Sequence, residues 1–213
     1  MDFSSVKAIT IPEGSVSSIQ IGGVTVWSSV PDAPTVSISA DDTTYSYSVT
    51  LNSRNDPVKY RVMEYAPDGT CVYGGDWKTS TNNVSSSGTG LYSYTESVTI
   101  EAYSYRGSLV SDTVSDSATS TRTPYIDAPT ISMTDDGNGN VTADISGTGT
   151  LYVSYQLYND LSELVDEGSQ EGSFSINAWD YNAGGGTLYV DAYCEAYGIT
   201  SDTASDSYSV PSV

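Results

Sequence analysis

The segment DAPTVSI at residues 32–38 decides the fold, because it returns as DAPTISM at residues 127–133, 95 residues later. A second similarity joins SDTVSDS at residues 111–117 to SDTASDS at residues 201–207, at an offset of 90 residues. Two copies of one unit therefore follow each other in the chain, and the second copy has a net deletion of five residues.

The residues inside each copy alternate between two faces with the period of two that is typical of β-strands. Further strands are predicted at residues 35–39, 45–51, 58–65, 90–97, 113–119, 141–145 and 151–158. About seven short strands in a unit of this size indicate an immunoglobulin-like sandwich. The inward positions of the clearest strand in each copy are predicted to be Val98, Ile100, Ala102 and Ser104, and Leu188, Val190, Ala192 and Cys194.

Proline-containing segments at residues 31–34 and 124–129 separate the parts of the chain, because proline stiffens a linker and cannot continue a strand. We therefore predict an all-β protein with a short β-structured segment at residues 1–29, a first sandwich at residues 30–124 and a second at residues 125–213. The two cysteines fall in different copies, which argues against a disulfide bond between them.

Three segments of the first copy carry a resemblance to a known family. DAPTVSIS, VKYRVMEY and VTIEAYSYRGSLVSDTVSDS resemble the first, middle and last strands of fibronectin type III and related domains. The resemblance covers both repeated units and implies an immunoglobulin-like fold. The early-strand tryptophan of that family is absent, and so is the Cys-Trp-Cys arrangement of antibody domains.

The first 29 residues are rich in apolar side chains but too few to enclose a core of their own. Alternation predicts strands at residues 6–11, 16–21 and 24–27, with Gly22 and Gly23 forming a tight hairpin loop. We expect this segment to bind another protein, by strand addition or by burying Trp27; the alternative is that it packs on the first sandwich. The contact residues are predicted to be Ile9, Ile11, Ile19, Ile21, Val24, Val26 and Trp27.

The N-terminal segment also carries a second resemblance. The pattern ITIPEG…V…I…G…VW, which runs from Ile9 to Trp27, resembles a short unit that precedes immunoglobulin-like domains in phage structural proteins. The resemblance implies a component of the virion surface that contacts other virion proteins, and it does not separate capsid from tail. A head decoration or head-fibre role is preferred, a tail role is the alternative, and homo-oligomerisation stays open.

The formal charge of −20 argues against nucleic acid and anionic membranes as partners, because both bind basic surfaces. All seven basic residues precede Tyr125, whereas 14 acidic residues lie between residues 126 and 213. This charge is interpreted as a solvated, self-repelling surface, and divalent cation binding is the alternative. No signal peptide or apolar span is evident, so we expect synthesis in a bacterial cytoplasm and release by lysis or within a particle.

The chain contains no histidine, so Ser-His-Asp and Cys-His sites cannot be built. The acidic residues scatter over turns and outward strand positions instead of forming an obvious catalytic pair. The sequence DDGNGN at residues 135–140 departs from a calcium-binding loop and is interpreted as a hairpin turn. We therefore predict no enzymatic activity, no cofactor and no metal site.

Tyrosine supplies the remaining recognition chemistry, with 18 residues against two phenylalanines. Outward-facing tyrosines present flat faces with hydroxyl groups, which suit sugar rings or protein contacts. The candidate recognition residues are Tyr103, Tyr105, Tyr189 and Tyr193. Host-surface or mucus glycans are their predicted ligands, which gives a carbohydrate-binding adhesin as the alternative function. The competing interpretation is that cross-strand aromatic pairs merely cover a sheet face.

Overall fold

The computed structural model describes residues 18–21, 24–28, 30–137, 140–147, 151–177 and 186–210. All regular elements in these ranges are β-strands, which confirms the predicted all-β class. The described part of the chain includes no helix that is long and apolar enough to cross a membrane.

The N-terminal hairpin consists of β1 (Ser18–Ile21) and β2 (Val24–Ser28), which form a separate two-stranded antiparallel sheet. Ile21 pairs with Val24, in agreement with the hairpin predicted around the two glycines. The strand predicted at residues 6–11 lies outside the described residues.

The first sandwich packs a three-stranded sheet, in the order β3-β4-β8, against a larger sheet built around β5 and β9. β6 and β7 pair with β5, and β10 and β11 pair with β9. The strands are β3 (Thr35–Ala40), β4 (Thr44–Thr50), β5 (Val58–Tyr65), β6 (Cys71–Gly74), β7 (Lys78–Ser80), β8 (Val84–Gly90), β9 (Ser97–Arg106), β10 (Leu109–Val110) and β11 (Val114–Thr119).

The second sandwich repeats this arrangement, with a three-stranded sheet in the order β12-β13-β16 and a five-stranded sheet around β14 and β17. β15 pairs with β14, and β18 and β19 pair with β17. The strands are β12 (Thr130–Asp135), β13 (Val141–Ser146), β14 (Tyr152–Tyr158), β15 (Leu164–Glu171), β16 (Ser173–Asn177), β17 (Gly186–Ala196), β18 (Ile199–Thr200) and β19 (Ala204–Val210).

The predicted inward face of each central strand is confirmed. All eight inward residues of β9 and β17 are completely buried, and the seven other than Ser104 lie in the hydrophobic core of their own sandwich. Cys194 is therefore a small buried residue, whereas Cys71 is exposed, and both thiols are free.

The strand predicted at residues 90–97 is wrong. β8 ends at Gly90, and residues 91–96 form a loop that turns through a hydrogen bond from Thr95 N to Tyr92 O. Buried Glu64 holds this loop by accepting a 2.7 Å hydrogen bond from Thr95 Oγ1. The aromatic alternation in this segment serves loop packing, while the serine-rich stretch before it forms the strand.

The repeated SDT-x-SDS motif joins the two sheets of each sandwich. Asp116 Oδ2 on β11 accepts a 3.0 Å hydrogen bond from Ile38 N on β3, which belongs to the opposite sheet. Asp206 Oδ2 on β19 accepts the same bond from Met133 N on β12, at 2.9 Å. One carboxylate in each copy thus satisfies a backbone donor on an edge strand and links the sheet edges.

The serine that opens the motif has a second structural role. Ser111 Oγ accepts a 2.9 Å hydrogen bond from Ser104 N, and Ser201 Oγ accepts one of the same length from Cys194 N. Each hydroxyl then donates to the next carbonyl, that of Asp112 or Asp202. The hydroxyl therefore holds the strand that follows the β9–β10 or β17–β18 hairpin against the central strand.

The two copies differ beside this hairpin. In the first sandwich, Arg106 binds the buried carboxylate of Asp56 through two hydrogen bonds of 3.0 and 2.7 Å. Burial by itself would raise the pKa of Asp56, but hydrogen bonds from Arg106 and Asn52 more than offset this and hold it below its usual value. The second copy has Leu151 and Ala196 at the equivalent positions, and Leu151 packs against the core instead.

We expect Asp116→Ala to lower the free energy of unfolding of the first sandwich by about 1–2 kcal/mol, because it leaves the Ile38 N–H without its acceptor. Urea unfolding measures the loss, and amide hydrogen exchange at Ile38 should accelerate. Asp112→Ala is the matched control, because this neighbouring exposed carboxylate should contribute little. An unchanged exchange rate at Ile38 in Asp116→Ala would contradict this role.

Candidate functional site

The solvent-facing side of the larger sheet is the candidate site in each sandwich. In the first sandwich this surface is formed by β5, β9 and the segment around β7, and we call it the first outer face. In the second sandwich it is formed by β14, β15 and β17, and we call it the second outer face. Residues that alternate with the buried core positions lie on these faces.

The first outer face carries a packed cluster of charged and aromatic side chains. Arg61 and Glu101 are directly paired across β5 and β9, and their side chains form a 2.7 Å salt bridge. The Arg61 guanidinium lies 4.8 Å from the ring centroid of Trp77. Trp77 in turn meets Tyr103 edge to face, with ring centroids 5.1 Å apart. We call Arg61, Trp77, Glu101 and Tyr103 the aromatic cluster.

The aromatic cluster shows that Tyr103, one of the predicted recognition residues, packs against a neighbouring side chain. Tyr103 is half-buried against Trp77, and Tyr105 is half-buried near the end of β9. Sequence reasoning missed Trp77 and Arg61. The alternation of β5 puts Arg61 at an outward position, and this pattern is the sequence feature that could have predicted Arg61 on the first outer face.

The second outer face is lined by tyrosine, hydroxyl, amide and carboxylate groups in register. Cross-strand pairs join Ser154 to Tyr193, Gln156 to Asp191 and Tyr158 to Tyr189. Tyr189 is 44% exposed and Tyr193 is half-buried, so both predicted residues reach the surface. Tyr152, which was not predicted, is 59% exposed.

Two shallow grooves run across the second outer face. The first, of about 310 Å³, is lined by Tyr158, Ser162, Tyr189 and Asp191. The second, of about 420 Å³, is lined by Ser154, Tyr155, Gln156, Glu167, Gly168, Ser169 and Tyr193. We call them the Tyr189 groove and the Tyr193 groove. No Lys or Arg follows Arg122 in the sequence, so the second sandwich supplies carboxylates but no cationic side chain to these surfaces.

Gly168, which lines the Tyr193 groove, contacts the ring of Tyr155 on the inner side of the sheet. A Cβ atom at this position would lie 2.8 Å from the Tyr155 ring, closer than side chains normally approach. The Tyr155 hydroxyl reaches Asp166, to which it donates a 3.2 Å hydrogen bond. The Tyr155 ring also contacts Phe174 of the opposite sheet, so it packs in the core beneath the groove and closes the inner side of the sheet at Gly168.

The two sandwiches meet through tyrosines. Tyr92 and Tyr94, in the loop after β8, stack in parallel with ring centroids 5.3 Å apart. Tyr94 also contacts Tyr197, in the β17–β18 turn of the second sandwich, at 4.9 Å. Burial raises the pKa of the Tyr94 phenol, with further contributions from Tyr197, Tyr92 and Glu64. Tyr197 is thus part of a contact between the sandwiches.

The backbone of Tyr197 supports this assignment. Its φ of 57° lies in the left-handed region, which costs a residue with a side chain about 1–2 kcal/mol. The equivalent residue of the first sandwich is Gly107, with a φ of 61°. Tyrosine therefore occupies a glycine position where its ring can reach the neighbouring sandwich.

The structure describes only some of the residues on which the metal and partner predictions depend. The described residues contain no cluster of three or more candidate metal ligands. Ile9 and Ile11 lie outside the described residues. Ile19, Ile21, Val24, Val26 and Trp27 lie in or beside the β1–β2 pairing, but their side-chain surroundings also fall outside the description.

Comparison with known proteins supports the fold. No protein-family model and no curated protein matches the chain. A solved structure of a tetra-tandem repeat from the extending region of a large adhesion protein matches with a TM-score of 0.51 and 18% identity. The match covers 84% of this chain and 50% of that chain, so this chain spans half the length of that structure.

Two further solved structures are animal proteins. A two-domain fibronectin type III segment of chicken tenascin has a TM-score of 0.39 and 17% identity, covering 84% of this chain and 100% of that chain. The chicken interferon gamma receptor alpha chain has a TM-score of 0.37 and 14% identity, covering 86% and 100%. The strand order of its two sandwiches gives the chain the immunoglobulin-like, fibronectin III-like fold that its repeats predict.

We expect Tyr197→Gly to leave both sandwiches folded and to loosen their mutual orientation, because glycine keeps the turn and removes the ring that contacts Tyr94. Residual dipolar couplings provide the measurement. The two sandwiches should share one alignment tensor in the parent protein and show different tensors in the variant. Tyr189→Ala, which removes an exposed ring on the second outer face, is the control and should keep a shared tensor. A shared tensor in Tyr197→Gly would contradict the role of this contact.

Proposed function

We propose that the chain is a non-enzymatic structural protein of a phage virion, attached through residues 1–29 and displaying two immunoglobulin-like sandwiches on the particle surface. The observation that supports this proposal most directly is the separate sheet formed by β1 and β2, which among the described residues pair only with each other. A two-stranded hairpin is marginally stable by itself, so it needs another surface to cover its apolar residues.

The strongly acidic charge of the chain fits this role. At high surface density, like charges keep neighbouring copies from associating and keep the displayed domains solvated. A head decoration or head-fibre position is the form we favour, and a tail position is the alternative. The contact would be made by strand addition to β1–β2 or by insertion of Trp27 into a pocket of a capsid or tail protein.

High-resolution imaging of particles that contain the chain tests the proposal. We expect residues 1–29 to lie against a different virion protein, and Trp27→Asp in the full chain to reduce incorporation at least tenfold, because a carboxylate opposes burial in an apolar pocket. Asp68→Ala, a change in an exposed loop of the first sandwich, should leave incorporation unchanged. Residues 1–29 packed only on their own first sandwich would overturn the attachment.

Adhesion to surface glycans is the second candidate function, and the Tyr189 groove favours it. The groove combines an exposed aromatic face with hydroxyl and carboxylate groups from Ser162 and Asp191, which are the chemistries that contact sugar rings and hydroxyls. The outer faces of the two sandwiches would then hold the displayed particle on a host surface or on mucus.

We expect glycan binding, if this function is correct, to fall about fivefold to tenfold in Tyr189→Ala through loss of ring stacking. Binding of the full chain to a broad glycan array provides the measurement. Tyr152→Ala removes a tyrosine that is even more exposed than Tyr189 but lies outside both grooves, and it serves as the matched control. Absence of binding to every glycan on the array would exclude adhesion of this kind.

A further inference from the structure

The internal repeat allows the two outer faces to be compared position by position. The pairing of β5 with β9 and of β14 with β17 makes Tyr103 equivalent to Tyr193 and Glu101 equivalent to Asp191. The aromatic ring and the carboxylate are therefore present on both faces.

The other half of the aromatic cluster differs between the copies. Arg61 corresponds to Gln156, because Arg61 pairs with Glu101 across β5 and β9 as Gln156 pairs with Asp191 across β14 and β17. Lys78 pairs with Tyr60 as Gly168 pairs with Tyr155, so Trp77 corresponds to Glu167. The second sandwich has lost the Arg-Trp pair and has gained a carboxylate in place of the indole.

This difference accounts for the Tyr193 groove. On the first outer face, Trp77 lies across β5 and reaches Tyr103, while Arg61 lies between the indole ring and Glu101. On the second outer face, the equivalent space is the groove of about 420 Å³ between Tyr193 and Glu167, above Ser154 and Gln156. The first sandwich thus fills with its own side chains the space that the second leaves open.

We propose that the Tyr193 groove binds a cationic peptide segment of a partner protein, in which an arginine and a neighbouring aromatic residue take the places of Arg61 and Trp77. The first sandwich shows what the shared tyrosine and carboxylate accept: a guanidinium against the carboxylate and an aromatic ring against the tyrosine. This inference holds whether or not residues 1–29 attach the chain to a particle.

Charge complementarity selects this occupant. Glu167 lines the Tyr193 groove. Asp191, which is paired with Gln156, lines the adjoining Tyr189 groove and accepts a 2.5 Å hydrogen bond from Ser205 Oγ through one of its two oxygens. The whole second sandwich is free of Lys and Arg. An anionic peptide or polysaccharide would meet only like charge. A neutral sugar would leave both carboxylates without a cationic partner, whereas a guanidinium pairs with them in the planar geometry that arginine favours.

The test uses the full chain, labelled with ¹⁵N, and an amidated synthetic tetrapeptide of alternating arginine and tryptophan. We expect saturable shifts of the amide signals of Ser154, Gly168 and Ser169. Affinity should fall about fivefold in Glu167→Gln/Asp191→Asn, because two partly exposed charge contacts are removed. Glu171→Gln/Glu195→Gln removes the same charge from the same face outside the groove and should weaken binding less than twofold.

A second variant restores the arrangement of the first sandwich. Gln156→Arg/Glu167→Trp should fill the groove from within and abolish the peptide-induced shifts while the fold, monitored by the remaining amide signals, is kept. A peptide with citrulline in place of arginine should bind at least fivefold more weakly. Three results would each overturn the proposal. The citrulline peptide could bind as tightly as the arginine peptide, or both double carboxylate variants could lose the same affinity. A neutral hexasaccharide alone could also cause the same amide shifts.

Discussion

The hydrogen bond from an edge-strand amide to Asp116 or Asp206 is the constraint on which each sandwich depends. It joins strands that belong to opposite sheets and that have no backbone ladder between them. A carboxylate at this place satisfies a backbone donor and also puts a charge on an edge that could otherwise pair with another chain. The same residues thus close the sandwich and place a charge where an exposed strand edge could otherwise promote aggregation.

With the sheet edges linked in this way, the outer faces are free to diverge. Both faces keep a tyrosine and a carboxylate at equivalent positions, Tyr103 with Glu101 and Tyr193 with Asp191. Two substitutions between the copies then change the chemistry completely. Where Arg61 and Trp77 are present, the face is covered by its own side chains, and where Gln156 and Glu167 replace them it is an open acidic groove.

The sequence predicts those parts of the structure that depend on local periodicity. The alternation in β9 and β17 identified the buried faces, including Cys194, because one side chain in two must enter the core. The same rule failed at residues 90–97, where Tyr92 and Tyr94 alternate in a loop that contacts Tyr197. It also missed Trp77, because the three-residue β7 is too short for a period to appear. The grooves depend on strand register and were therefore inaccessible from sequence alone.

The tyrosine contact between the sandwiches bears on how these faces act together. The left-handed backbone of Tyr197 costs about 1–2 kcal/mol, and an aromatic pair contributes about 0.5–1.5 kcal/mol, so the contact offsets much of the strain without a large net gain. Orientation, more than stability, therefore explains tyrosine at a position where Gly107 serves the other copy. A fixed orientation matters for multivalent binding, because several weak sites raise the overall avidity only when their geometry lets them bind at the same time. Partly exposed charge contacts such as those of the Tyr193 groove are individually weak, and many oriented copies on one surface would make them effective together.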